Sequence, residues 1–245
     1  MSRSCSVIFM LLLFWLFDGH NLLAASSEQS INQQDDNTRF ETLIDLADKA
    51  IITNPEQAME YAGQALTIGE KKQEKKMIVQ AQFILAKVNF VTQNFQKSIE
   101  YYIFCESFYE NSGDAENLAN VYNALSSAYF YISNSEMSDV YSDKCIALAE
   151  KHNFLDILNK QYYNRSAIAF YRGDYSLSMQ YAFKALNIAK KIDQPIYMAY
   201  CYDLMGNLSV KISEFRKAIN FYELSQTIYL AEENKIGRAS CRERV

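Results

Sequence analysis

Residues 126–146 read SSAYFYISNSEMSDVYSDKCI and residues 166–186 read SAIAFYRGDYSLSMQYAFKAL. Laid over one another at a shift of forty, they pair Ser126 with Ser166, Phe130 with Phe170, Ser138 with Ser178, Tyr141 with Tyr181 and Cys145 with Ala185. The register extends both ways along the chain. Tyr61, Tyr101, Tyr141, Tyr181 and Phe221 align, as do Ile68, Phe108, Leu148, Ile188 and Ile228. Small residues align equally well, at Ala58, Ser98, Ser138, Ser178 and Ala218, and again at Ala65, Cys105, Cys145, Ala185 and Ser225. Five units without an insertion or deletion mark a repeat architecture. Within a unit these positions fall three or four residues apart, which places them on one stripe of an α-helix.

A second helix precedes each of these. Its apolar stripe recurs as Ala81, Leu85 and Val88, as Val121, Leu125 and Ala128, and as Cys201, Met205 and Leu208. One step after the middle member stands a small residue, Ala86, Ser126, Ser166 or Gly206, where close helix approach leaves no room for more. Short polar breaks separate the helices of a pair, such as Asn54-Pro55-Glu56, Ser133-Asn134-Ser135-Glu136 and Arg172-Gly173-Asp174. Asn, Ser and Asp there accept hydrogen bonds from free helix N–H groups, and Pro55 suits a first helical turn. One helix pair cannot bury both apolar faces, so neighbouring pairs stack.

These features resemble the tetratricopeptide repeat family. The resemblance is carried by Gly173-Asp174-Tyr175 with Ala185-Leu186, by Gly206, Phe215, Ala218 and Tyr222, and by Ala58 with Ala65-Leu66. It covers roughly residues 38–235, with units at about 38–74, 75–114, 115–154, 155–194 and 195–235. The period is forty instead of the usual ~34, similar to the longer-helix variety of bacterial signalling proteins, and Tyr122, Tyr162 and Tyr202 lie near the position of the family's Trp. The resemblance implies an all-α fold: a right-handed α-solenoid of five stacked helix pairs, with first helices lining a groove that takes a protein or peptide partner. Five Cys without a CxxC and two His, with no paired His beside His152, leave no metal site expected, and no cofactor is expected. The family's clamp for carboxyl-terminal peptides needs Lys and Asn in a set order across three units, and that order is absent.

Composition agrees with a helical chain. Seven Gly and two Pro among 245 residues exclude collagen-like, Pro-rich and linker classes and argue against a turn-rich β fold. No GxxxxGK[ST], GxGxxG or GxSxG motif occurs, and only two His are present. Enzyme chemistry is therefore not expected of these residues. Of the five Cys, Cys105 and Cys145 replace Ala in the packed slot and read as small buried hydrophobes.

The two ends depart from the repeat. Residues 1–25 carry Arg3, an apolar run VIFMLLLFWLF at 7–17 and a small cluster Ala24-Ala25-Ser26, the pattern of a secretory signal peptide; a polar linker, 26–37, follows. Residues 236–245, IGRASCRERV, break the helical pattern and match one translation of a common short-read sequencing adapter. The expectation is an adapter-derived tail, with the natural chain continuing past about residue 235. Setting both ends aside removes Arg3, Arg238, Arg242 and Arg244 against Asp18 and Glu243, which moves the net charge from −5 to −7. An acidic module is a poor partner for nucleic acid. The expected placement is exported, in the periplasm or attached to a membrane and facing it, with membrane contact only through a downstream segment. Oligomerisation is left open.

Two groups of residues are candidates for binding. Phe90, Phe130 and Phe170 recur at forty, two residues beyond the stripe positions Val88, Ala128 and Ile168. Tyr131 and Tyr171 follow directly, and Phe83 and Tyr163 stand two turns earlier. Such rings either face the groove or pack against the adjacent unit. In the fourth unit Gln161, Arg165 and Arg172 interrupt the apolar stripe. Those guanidinium groups either hold an anion such as a carboxylate terminus, or snorkel or pair with nearby acids such as Asp174, and the latter is favoured because buried charge is usually paired.

Overall fold

From Gln73 on, the chain makes the same turn every twenty residues. Gln73, Gln93, Gly113, Ser133, Asn153, Gly173, Asp193 and Ser213 all have positive φ, between 50° and 82°. At Gly173 the amide donates to the Phe170 carbonyl at 3.0 Å, and the Asp174 amide reaches the Ala169 carbonyl at 3.0 Å. The same two bonds recur from Ser133 and Asn134 to Phe130 and Tyr129, and from Ser213 and Glu214 to Val210 and Ser209. This is a Schellman closure: it satisfies orphan carbonyls of one helix and reverses the chain in a single left-handed residue. The next residue already starts the following helix. Asp114, Asn134 and Asp174 each accept the backbone N–H three residues on, at 3.1, 3.1 and 3.0 Å, which is N-capping.

The computed structural model describes residues 35–242, with side chains as far as 233. The expected signal peptide, 1–25, lies outside the described residues, as do the side chains of the suspected tail. Ten helices form among the described residues, and no strand. They are α1 Asp36–Ala50, α2 Pro55–Lys72, α3 Lys75–Val91, α4 Phe95–Ser112 and α5 Ala115–Tyr131. The others are α6 Ser135–His152, α7 Leu155–Arg172, α8 Tyr175–Lys191, α9 Pro195–Lys211 and α10 Phe215–Arg242. The backbone of α10 stays helical past Ile236, where the sequence pattern predicts a break. The helices form five pairs, as the forty-residue period predicts.

The described residues divide into two compact units, with the boundary between Gln93 and Asn94. In the first, α1, α2 and α3 enclose a core of Phe40, Leu43, Ala65, Ile68, Met77 and Ala81. The second holds α4 to α10, and its consecutive helices pack in sequence. There the small positions of the repeat are the points of closest approach. Ser126 Oγ donates to the Ser138 carbonyl at 3.0 Å while Ser138 Oγ donates to the Ser126 carbonyl at 2.9 Å. One period later Ser166 and Ser178 repeat the exchange at 2.7 Å each way. A larger residue at any of the four would hold the helices apart.

Polar contacts join successive pairs. The Tyr122 hydroxyl donates to Glu110 at 2.9 Å, and forty residues on Tyr162 donates to Glu150 at 3.0 Å. Burial, then this bond, pushes the Tyr162 phenol up to about 12. Glu106 on α4 is buried and accepts from the Tyr141 hydroxyl at 2.9 Å and from Lys144 at 3.2 Å, both on α6. Lys144 also stands 4.8 Å above the Tyr141 ring. Cys105, Cys145 and Cys201 are buried free thiols, and burial raises each to about 12. Thiols held that far from ionising pack as small hydrophobes.

Two predictions follow from the turns and the buried carboxylate. Gly173→Ala should cost about 1 kcal/mol, because a Cβ is strained in the left-handed region, and Ser133→Gly should gain a similar amount. Thermal unfolding by circular dichroism reads these as a fall and a rise of about 2–4 °C for a chain of this size. Glu106→Ala should destabilise by about 1–3 kcal/mol in urea titration, since it strips the Tyr141 hydroxyl of its acceptor; an unchanged midpoint would show that Glu106 contributes nothing.

Candidate functional site

The repeat places aromatic residues at the ends of first helices beside others at the starts of second helices, so rings collect at the turns of the second unit. Phe95 opens α4 and stacks on Tyr131, the last residue of α5, at 4.7 Å between ring centroids and 6° between planes. Tyr131 meets Phe130 at 5.7 Å, and Phe130 meets Tyr171 of the next first helix at 6.1 Å. Tyr171 meets Phe170 at 5.7 Å, which meets Tyr175, the first residue of α8, at 5.8 Å. Lys211 Nζ stands 5.9 Å above Phe170. The result is a six-ring ladder. Phe130 and Phe170 are half-buried in it, whereas Tyr131 and Tyr171 are 54% and 73% exposed. The phenylalanines thus support the ladder, and the tyrosines present its outer face. Phe83 and Phe90, the other members of the expected row, are half-buried on α3 in the first unit.

Tyr163 points elsewhere. It pairs with Tyr200 at 6.3 Å, and Tyr200 with Tyr229 at 6.3 Å. Beside them Asn164 Nδ2 donates to Asn123 Oδ1 at 3.0 Å and to Ser127 Oγ at 3.2 Å, tying first helices α5 and α7 together. The Tyr229 hydroxyl donates to Asp203 at 3.0 Å, and burial followed by this bond raises it to about 12. This strip of amides and phenols offers donors and acceptors to an extended backbone. Asn123, Asn164, Tyr200 and Tyr229 escape a period search, because none of them recurs at forty.

Arg165 and Arg172 lie together in a cleft of about 410 Å³ lined also by Asp139, Asp143, Asp174 and Tyr181. Arg165 donates to Ser142, to Asp143 and, at 3.1 Å, to the Tyr181 hydroxyl. Arg172 places one terminal nitrogen 3.2 Å from both oxygens of Asp139. Both arginines are therefore paired, as the charge argument favoured, although the partners lie on α6 and neither is Asp174. Asp174 instead caps α8 through its bond from the Leu177 amide. The sequence pattern missed Asp139 and Asp143 because acids on a second helix look like an ordinary solvated face.

No group of three or more His, Cys, Asp or Glu side chains that would hold a metal occurs among the described residues, and no described helix is long and apolar enough to cross a membrane.

No family model and no curated protein matches the chain. Solved structures do. BtubC (BKLC) from P. vanneervenii is 16% identical with a TM-score of 0.65, over 88% of this chain and 87% of that one. A Rap protein complexed with competence and sporulation factor is 17% identical with a TM-score of 0.64, over 89% of this chain and 73% of that one. The TPR-like repeats of a kinesin light chain from Podosopora anserina are 12% identical with a TM-score of 0.60, over 82% of this chain and all of that one. Identities this low establish the architecture alone. With its five helix pairs, its forty-residue period and these neighbours, the chain has the fold of the tetratricopeptide-repeat proteins.

Proposed function

We propose that the chain is a protein-interaction module and that the aromatic ladder of its second unit is the surface that holds a protein or peptide. The observation that carries this reading is the exposure of Tyr171, 73%, at the centre of six connected rings. Large rigid rings contribute contact area at little entropic cost, which is why they concentrate at binding hot spots. An isolated exposed tyrosine needs no explanation, but a row supported from beneath by half-buried phenylalanines is a built surface. The Rap structure holds a factor in complex, which supports a peptide or protein as the partner here too. The reading assigns no catalytic residue and no cofactor to the residues described.

The setting proposed for this module is export, as the periplasmic sensor part of a longer membrane signalling protein whose output is a histidine kinase, a diguanylate cyclase or a DNA-binding regulator. Export rests on the pattern of residues 1–25. The competing reading is a stand-alone periplasmic scaffold or assembly adaptor.

Two experiments test these statements. Peptides selected by display on the purified chain should bind Tyr131→Ala and Tyr171→Ala at least about tenfold more weakly, the size of a hot-spot loss. The melting temperature of both variants should stay close to wild type, since the substituted rings are exposed. Undiminished binding would remove the ladder from the reading. Sequencing the source DNA across codon 235 should show an open frame running into about 20 apolar codons; a stop codon there favours the adaptor.

A further inference from the structure

The junction between the third and fourth helix pairs differs in chemistry from the others. Where Arg165 stands, the second, third and fifth units carry Leu85, Leu125 and Met205 and the first carries Asp45; where Arg172 stands, the other units carry Ile52, Thr92, Ile132 and Ile212. On the facing helix α6, Asp139 takes the place held elsewhere by Met59, Ile99, Met179 and Ile219. Two ion pairs have thus replaced an apolar contact. Arg165 is only 19% exposed in its side chain. Next to it Gln161 is fully buried, with Nε2 on Ser142 and Oε1 without a partner. Buried pairs of this kind are commonly no more stabilising than the hydrophobic residues they displace. Stability alone does not account for them.

We propose that this cleft is a binding site for a short free peptide of two or three residues with both termini charged. Four observations converge on that ligand. The first is charge: two arginines and three aspartates line the cleft, a mixed set that disfavours a simple anion and suits a zwitterion. The second is unused capacity at opposite ends. Arg172 engages Asp139 through one nitrogen, leaving its other terminal nitrogen and Nε for a carboxylate. Asp143 engages Arg165 through one oxygen, is 73% exposed, and keeps the other oxygen for an ammonium group.

The third observation is length. Asp139 and Asp143 are four residues apart on α6, and Arg165 and Arg172 seven apart on α7, so the two ion pairs are separated by about 6–10 Å along the helices. An extended dipeptide or tripeptide spans about 7–10 Å. The fourth is volume and lining: about 410 Å³, with Ile168, Ala169 and Leu177 to receive small apolar side chains and the Tyr181 hydroxyl held by Arg165. That volume lies within the range of small-ligand pockets. The site uses none of the ladder residues, so its failure leaves the reading of the ladder intact.

Calorimetric titration of the full chain with dialanine and trialanine tests the assignment. Binding is expected for one or both, and N-acetylation or C-amidation of that peptide should weaken it at least about tenfold, because each removes a charge-assisted contact. Arg172→Met, which restores an apolar residue like those of the other units, and Asp143→Asn should each have the same effect with the fold intact by circular dichroism. If Arg172→Met does not fold, Arg172→Lys serves, since it keeps the charge and loses the fork; it should still weaken binding. The proposal is overturned if neither peptide gives heat at about 10 mM, weaker than any specific site of this kind. It is equally overturned if capped peptides or free alanine bind as tightly.

Discussion

One left-handed residue every twenty positions is the constraint on which the rest of this molecule depends. Because the chain from residue 73 on reverses in a single residue followed at once by an N-cap, α3 to α9 have nearly the same length and each begins at the same phase relative to the last. Equal lengths and equal phases keep the small positions opposite one another over the repeat. A turn one residue longer would rotate the next helix by about 100°, and Ser126 would no longer face Ser138. Six of the eight turn residues are not glycine. The chain therefore accepts local strain at most turns, and the two hydrogen bonds that close each helix, together with burial on either side, offset it.

On that frame the contacts between pairs fall into two kinds. Repeated ones, such as Tyr122 on Glu110 and Tyr162 on Glu150, recur because the same geometry returns each forty residues. Singular ones occur where one unit departs from its neighbours: Glu106 with Tyr141 and Lys144, and the arginine–aspartate junction of α6 and α7. Repeated contacts set the architecture. Singular contacts are where a repeat protein acquires identity, because a change in one unit alters one surface without disturbing the others.

The two principal surfaces of the second unit arise from different parts of the same helices. The aromatic ladder gathers at helix ends, where Phe95, Tyr131, Tyr171 and Tyr175 meet across turns. The amides and phenols lie on first helices, where Asn164 meets Asn123 and Tyr163 meets Tyr200. One offers rigid area, the other directional hydrogen bonding. On the proposed reading, area would serve affinity and directed polar contacts would select among partners.

The helix pairs, their order and the packed small residues were legible in the sequence, because a fixed period converts burial into a visible pattern: Ala58, Ser98, Ser138, Ser178 and Ala218 are all nearly or fully inaccessible, as their alignment implies. Much of the candidate surface was not legible. The row of rings was visible as residue types, but whether Phe130 supports and Tyr171 presents depends on which ring lies above which, and that is set by neighbouring turns. The partners of Arg165 and Arg172 were invisible for the same reason, since Asp143 and Asp139 lie on the preceding helix, more than twenty residues away. Periodicity reports which face of each helix is buried. Only the packed helices decide which side chains from different units meet, because that depends on crossing geometry that no single helix encodes.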